Sequence, residues 1–275
     1  MMRWKHAGPL IAALACIAQP TSAPKIVVAQ LGPTTIQQRL NLVPRKLADR
    51  VAALESLFHE VGCDGERFFK QPVRHSRAPN LVCTLIGQTD NEIIVGGHLD
   101  SIELGMGAVD DWSGASLLPS LYQSLKETPR RHRFVFVGFA AEEQGLVGSN
   151  AFVANLKRDE VRKIRAMINL ECLGLGPPEV WVSRANKRLL DEYSVVASIL
   201  HVPLRGMNVE RAGDDDAHSF LNVGIPVLTI HSLTPGNWHI LHHASDKLEA
   251  IRPDDYYTAY RMIAAYLAYL DNTLE

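Results

Sequence analysis

A chain of 275 residues with 28 Lys and Arg against 30 Asp and Glu carries a formal charge of −2 and no basic stripe, which argues against a nucleic-acid partner. Its 47% hydrophobic and 21% charged content is ordinary for a globular protein, and α/β folds commonly reach this length as one domain. Four cysteines, one of them inside the leader described next, are too few for a disulfide scaffold and show no Cys-x-x-Cys spacing for a structural zinc. They leave room for at most one bridge, with Cys63–Cys83 the expected pair.

Met1–His6 carries Arg3 and Lys5, Pro9–Ala18 is a short apolar run, and Gln19–Ala23 is small and polar. That is the tripartite layout of a secretory signal peptide, too short to persist as a membrane span. Residues 1–23 are therefore read as a leader cleaved near Ala18 or Ala23, the first preferred because Pro24 follows the second. Export to the periplasm or the extracellular space is expected, without stable membrane insertion. Ala13-Leu-Ala-Cys16 resembles a lipoprotein box only weakly, so anchoring at Cys16 is a minor alternative.

Residues 24–275 show no repeat, linker or low-complexity tract and are read as a single domain. The spacing of Leu47, Val51, Leu54, Phe58 and Val61 predicts a helix over 44–61, opened by Pro44 and stopped by Gly62. Strands are predicted over 80–85 and 92–97, then a helix over 113–125 that Pro119 can kink. The unbroken apolar run Phe134–Ala141 reads as a strand buried on both faces. After it come a helix over 149–158, strands over 166–170 and 179–183, a helix over 189–200, a strand over 226–231, and a last helix from Pro253 with Tyr260, Ile263, Leu267 and Leu270 on one face. Alternating strands and helices predict an α/β fold: three layers, α/β/α, around a mixed, mostly parallel sheet.

Polar residues able to bind metal stand where these strands end. They are His98 with Asp100 two residues on, Asp110-Asp111 before a helix, Glu142-Glu143 after the apolar strand, Glu171 after Met167–Leu170, and His239, His242 and His243 ahead of Asp246. Ligands of open α/β sheets sit just beyond the carboxyl ends of strands. Asp100 shares a face with His98 in extended backbone and can orient its ring. Consecutive Glu142 and Glu143 diverge, which suits one ligand and one neighbour facing substrate. Singly, each has a structural reading as a loop histidine, a helix cap or an acidic turn. Five such endings in one chain make the structural reading the weaker one.

The motifs Gly-Gly-His98-Leu-Asp100-Ser, Asp110-Asp111-x-Ser-Gly, Glu142-Glu143-x-Gly-Leu-x-Gly-Ser149, Asn169-Leu-Glu171 and His242-x-x-x-Asp246 stand in one order across residues 80 to 275. Together they resemble the secreted bacterial zinc aminopeptidases of the co-catalytic di-zinc exopeptidase family, whose relatives include glutaminyl cyclases and glutamate carboxypeptidases. Asp216-Ala-His-Ser-Phe220 with Gly224-Ile-Pro226 resembles a further family segment near the active site. The resemblance implies that Asp110 bridges two zinc ions, with His98 and Glu171 on one and Glu143 and His242 on the other. It also implies a cis peptide at Asp110–Asp111. His242 is chosen over His243 and His239 because Asp246 lies four residues on. The family usually has Asp where this chain has Glu171.

The activity so implied is removal of the N-terminal residue from peptides or small aminoacyl substrates through a metal-bridging water, with Glu142 as general base. Zinc is the metal that imidazole and carboxylate ligands suit, with manganese or cobalt compatible. A single-zinc glutaminyl cyclase is the alternative, and a non-catalytic binding module on the same fold a more distant one. Neither Gly-x-Ser-x-Gly nor a partnered cysteine points to a serine or cysteine hydrolase. N-terminal residue preference and oligomeric state are not legible in the chain.

Overall fold

The structure, a computed structural model, describes residues 26–102 and 104–275. The leader and Cys16 lie outside the described residues. In chain order the elements are α1 (Pro33–Leu40), α2 (Leu47–Glu60), β1 (Phe68–Gln71), β2 (Asn80–Leu85), β3 (Glu92–His98), α3 (Ser113–Ala115), α4 (Leu117–Lys126), β4 (Arg133–Phe139), α5 (Val147–Ala154), α6 (Arg158–Val161), β5 (Ile164–Leu170), β6 (Glu179–Val180), α7 (Lys187–Ile199), α8 (Ala217–Leu221), β7 (Val227–His231) and α9 (Pro253–Thr273). Seven strands form one sheet in the order β1-β2-β4-β3-β5-β7-β6. Its centre, β4-β3-β5-β7, is parallel, and β1, β2 and β6 pair antiparallel at the two sides.

Strand alternation divides the core between two layers. On β4, Phe134 and Phe136 face the larger cluster, while Val135, Val137 and Phe139 face the smaller. The larger cluster packs under α1, α2, α4, α7 and α9. On the other face Phe139, Phe152 of α5 and Phe220 of α8 meet with ring centroids 5.8–6.0 Å apart. Helix α9 is buried nearly all round, through Met262, Ile263, Tyr266 and Leu267, as expected of a helix packed against α1, α4 and α7. Cys63 and Cys83 are joined in a disulfide, and Cys172 is free and buried. Among the described residues no helix is long and apolar enough to cross a membrane.

Several predicted boundaries shift. The helix expected over 113–125 is split at Ser116 into α3 and α4; Pro119 then falls in the first turn of α4, where its missing N–H costs nothing. The helix expected over 149–158 begins at Val147 and stops at Ala154. The strand expected over 179–183 pairs only at Glu179 and Val180. Helices α1, α6 and α8 and the edge strand β1 were not predicted.

Candidate metal centre

Each motif lies at or just beyond the end of an element that carries it to one place. His98 is the last residue of β3, and Asp110 precedes α3 after a loop. Glu142 and Glu143 follow β4, Glu171 follows β5, and His242 lies between β7 and α9. Parallel β3 stands between β4 and β5, with His98 opposite Phe139 and Gly96 opposite Asn169, so the three strands end at the same side of the sheet.

Among the described residues three triplets of donors form, two of which share the Asp110 carboxylate; the third is His98–Glu142–Glu143. Asp110 Oδ1 lies 3.0 Å from His98 Nε2, which is 3.4 Å from Glu171 Oε1. Asp110 Oδ2 lies 3.2 Å from His242 Nε2, which is 2.9 Å from Glu143 Oε2. In both His98–Asp110–Glu171 and Asp110–Glu143–His242 the donor atoms fall within 4.8 Å of one another. Glu142 Oε2 stands 3.8 Å from His98 Nε2, between those two triplets and the pocket it helps line. Both His242 and His243 are exposed, but His243 Nδ1 donates to the Leu241 carbonyl, so His242, with its contacts to Asp110 and Glu143, is the one of that pair that faces the cage. The Asp110–Asp111 peptide is cis.

Further carboxylates hold these segments from behind. Asp100 accepts from the Glu142 and Glu143 amides at 3.1 and 3.3 Å, and faces His98 Nδ1 at 3.6 Å, beyond hydrogen-bond reach. Asp246 accepts from the Val109 and Asp110 amides at 2.7 and 3.3 Å. Asp111, fully buried, accepts from the amides of His98, Gly114 and Cys172 at 3.2, 3.0 and 3.0 Å. It thereby ties the ends of β3 and β5 to the start of α3. A Cβ on Gly114 would sit 2.5 Å from Asp111 Oδ2, so this close approach requires glycine. Sequence reading gave Asp111 and Asp246 no such work, because their partners are backbone amides that leave no residue-type signal. Three non-glycine residues in or next to the cage, Ala141, Cys172 and His242, have left-handed φ of 56°, 49° and 59°. Such conformations cost on the order of 1–3 kcal/mol each and cluster at functional sites.

The electrostatics are those of crowded acids. Burial pushes the Glu142 carboxyl up to about 11, with Glu171, Asp216 and Asp110 adding to it. Burial, with Asp110, raises Glu143 to about 7. A hydrogen bond that Asp110 accepts from its ring, with Glu143 adding, lifts His242 to about 9. Burial works against protonating His98, but Glu142 and Glu171 outweigh it and raise it well above the usual histidine range. Burial likewise favours a neutral Asp110, yet its bonds to His242 and His98 hold it below the usual carboxylate range. Asp216 is completely buried with both oxygens unpartnered, and burial pushes it to about 8. Positive charge is thus favoured among these crowded carboxylates. Nitrogen and oxygen donors in threes, with charge to be balanced, fit divalent zinc.

Beside the cage is a cavity of about 240 Å³. Trp181, Val209, Leu233 and Leu241 give it an apolar wall opposite Glu142 and Glu143. His231, also lining it, is held neutral: burial lowers it to about 4, its Nε2 donates to the Met207 carbonyl, and its Nδ1 accepts from the Leu233 amide.

A mixed α/β/α sheet whose parallel strands end in a histidine–carboxylate cage beside an apolar pocket defines the exopeptidase type of architecture. The chain belongs to peptidase family M28, whose model matches residues 80–267, the stretch that holds the whole cage. Aminopeptidase Y of Saccharomyces cerevisiae is 31% identical over 161 residues, 56% of this chain and 30% of the relative. The LapA aminopeptidase of Legionella pneumophila superposes with a TM-score of 0.77 at 21% identity, covering 89% of this chain and 73% of that one. A glutaminyl cyclase from an Acidobacteriales bacterium gives 0.73 at 18% identity, covering 93% and 99%. At such identities these superpositions establish the fold. The chain spans only 30–34% of the length of the first curated relatives it matches.

Proposed function

We propose that the chain is a metallo-aminopeptidase that removes N-terminal residues from peptides, with one zinc held by His98, Asp110 and Glu171 and a second by Asp110, Glu143 and His242. The observation that carries this is the division of Asp110, whose two oxygens each face a different histidine, at 3.0 and 3.2 Å. Glu171 suits the place where aminopeptidases usually have Asp: Asn169 Nδ2 holds its Oε2 at 3.2 Å and leaves Oε1 toward His98. The extra methylene is taken up by that anchor. Bound zinc supplies Lewis acidity, polarising a carbonyl and lowering the pKa of water toward ~7.

The chain's own residues do the rest. Glu142 accepts the proton of the attacking water and hands it to the departing amine. With cations in the cage, Glu171 and Asp110 no longer raise Glu142, and its proton affinity falls toward the range of a working base. Trp181, Val209, Leu233 and Leu241 exclude water around the first side chain, and Asp100 fixes the backbone of both Glu142 and Glu143. Residues 1–23 as an export leader belong to the same proposal, which the Cys63–Cys83 disulfide supports, since such bonds persist in oxidising compartments.

The test is zinc analysis of the purified protein with hydrolysis of aminoacyl p-nitroanilides. Glu142→Gln should keep zinc content and melting temperature while lowering kcat about 10²–10⁴-fold. Unchanged turnover would remove Glu142 from the role. One zinc per chain with cyclised product from glutamine substrates would replace the peptidase by a glutaminyl cyclase.

A further inference from the structure

One charged side chain reaches the cage from behind, from outside the family-matched stretch. Arg50 projects from α2 and is 0% exposed. Its guanidinium donates to five backbone carbonyls: Leu99 at 2.5 Å, Asp100 at 3.3 Å, Met106 and Gly107 at 3.1 Å, and Pro44 at 3.4 Å. It also stands 5.4 Å from the Trp112 ring centroid, within cation–π range. Four of the five carbonyls belong to two short segments. Leu99 and Asp100 directly follow His98; Met106 and Gly107 lead into Asp110. A rigid fork of five donors is the group able to hold two such segments at a fixed separation, which a lysine ammonium is not.

The loop is pressed onto this fork. Gly107 has φ 60°, and a Cβ there would lie 2.4 Å from Ser101 Cβ and 2.8 Å from Arg50 Nη1. Arg50 is also the positive charge facing Asp100, Asp111, Asp246 and Asp110 together. By contrast Arg39 on α1, 4% exposed, bonds through its side chain to Ser120, Gln123 and Glu60 and to neither metal segment.

We propose that Arg50 is a positioning residue of the metal centre: by clamping the segment after His98 to the segment before Asp110, it sets the distance between two ligands of one cation and so the affinity for that cation. This rests on the ligand assignment proposed above. Groups that orient ligands from behind typically change metal affinity 10–100-fold when altered.

The experiment compares wild type, Arg50→Lys, Arg50→Met and Arg39→Met by chelator-competition titration with zinc and by melting temperature with and without zinc. Wild-type binding lost in His98→Ala and Asp110→Ala shows that the cage is the site probed. Arg50→Lys, which keeps the charge but not the fork, should fold and bind zinc about 10–100-fold more weakly. The gap between its zinc-loaded and metal-free melting temperatures should shrink. Arg39→Met should lower both temperatures together and leave zinc affinity unchanged. Should Arg50→Met fail to fold, Arg50→Lys decides. Wild-type zinc affinity in Arg50→Lys, with both melting temperatures lowered alike, overturns the inference and leaves the metal centre standing. Zinc binding unaffected by His98→Ala and Asp110→Ala overturns the metal centre itself.

Discussion

Replacing Asp111 by alanine removes the one carboxylate to which three segments of the site are tied. The amides of His98, Gly114 and Cys172 lie 3.0–3.2 Å from its oxygens in a fully buried place. An orphaned buried donor costs ~1–3 kcal/mol, so the three together come to ~3–9 kcal/mol before relaxation. A water entering the vacated space returns part of this, which puts the expectation near the lower end. There is an opposing term. Burial and the nearby Glu171 make an ionised Asp111 costly in the metal-free cage, so its removal relieves some repulsion there. Cations in the cage cancel that relief, and the loss should be larger with zinc than without. For a chain of this size a loss of ~3 kcal/mol lowers the melting temperature by ~6–12 °C. Scanning calorimetry of zinc-loaded wild type and Asp111→Ala measures it directly. A variant that melts within about 2 °C of wild type would refute the view that Asp111 ties the site together.

Other expectations follow from the same geometry. Asp110→Asn should lose most of both zincs, whereas Glu171→Gln should weaken one site and spare the other; atomic absorption against protein concentration separates the two results. Zinc binding should strengthen as pH rises from 6 to 9. His242, lifted to about 9, and Glu143, lifted to about 7, are largely protonated at the lower end and must release those protons to bind. Calorimetric titration in buffers of different ionisation enthalpy counts the protons released; zero release would contradict the assignment of His242. Serine at both Cys63 and Cys83, which are 20 residues apart, should cost about 3 kcal/mol by loop-closure entropy. Urea melts of oxidised wild type and the double variant test this, with catalytic constants expected to stay put because neither cysteine lines the pocket.

How much of this was legible depended on where each residue's partners lie. Strand β4 was readable because it is buried on both faces, and α9 because Tyr260, Ile263, Leu267 and Leu270 mark one face of a 21-residue helix. Helix α1 was not. Eight residues ending in Gln-Gln-Arg-Leu give no clear period, and Arg39, which reads as a solvated charge, is buried against α4. Edge strand β1 is four residues of mixed burial with Phe69 exposed. Of the six residues expected to carry chemistry, His98, Glu142, Glu143 and Glu171 were legible as polar residues at or just past strand ends, and Asp110 and His242 as members of loop motifs. The groups behind them were not, since Asp111, Asp246 and Arg50 act on backbone amides and carbonyls that any sequence supplies. The choice of His242 over His243 rested on the spacing to Asp246; both residues are exposed, but His242 Nε2 lies 3.2 Å from Asp110 and 2.9 Å from Glu143, whereas His243 Nδ1 donates to the Leu241 carbonyl.

The central claim is that one carboxylate, Asp110, serves two cations. Anomalous diffraction at the zinc edge from crystals of the zinc-loaded protein tests it most directly. Two peaks roughly 3.5–4 Å apart, one nearer His98 and Glu171 and the other nearer Glu143 and His242, are predicted. A single peak, or peaks whose nearest donors lie outside this set, would contradict it.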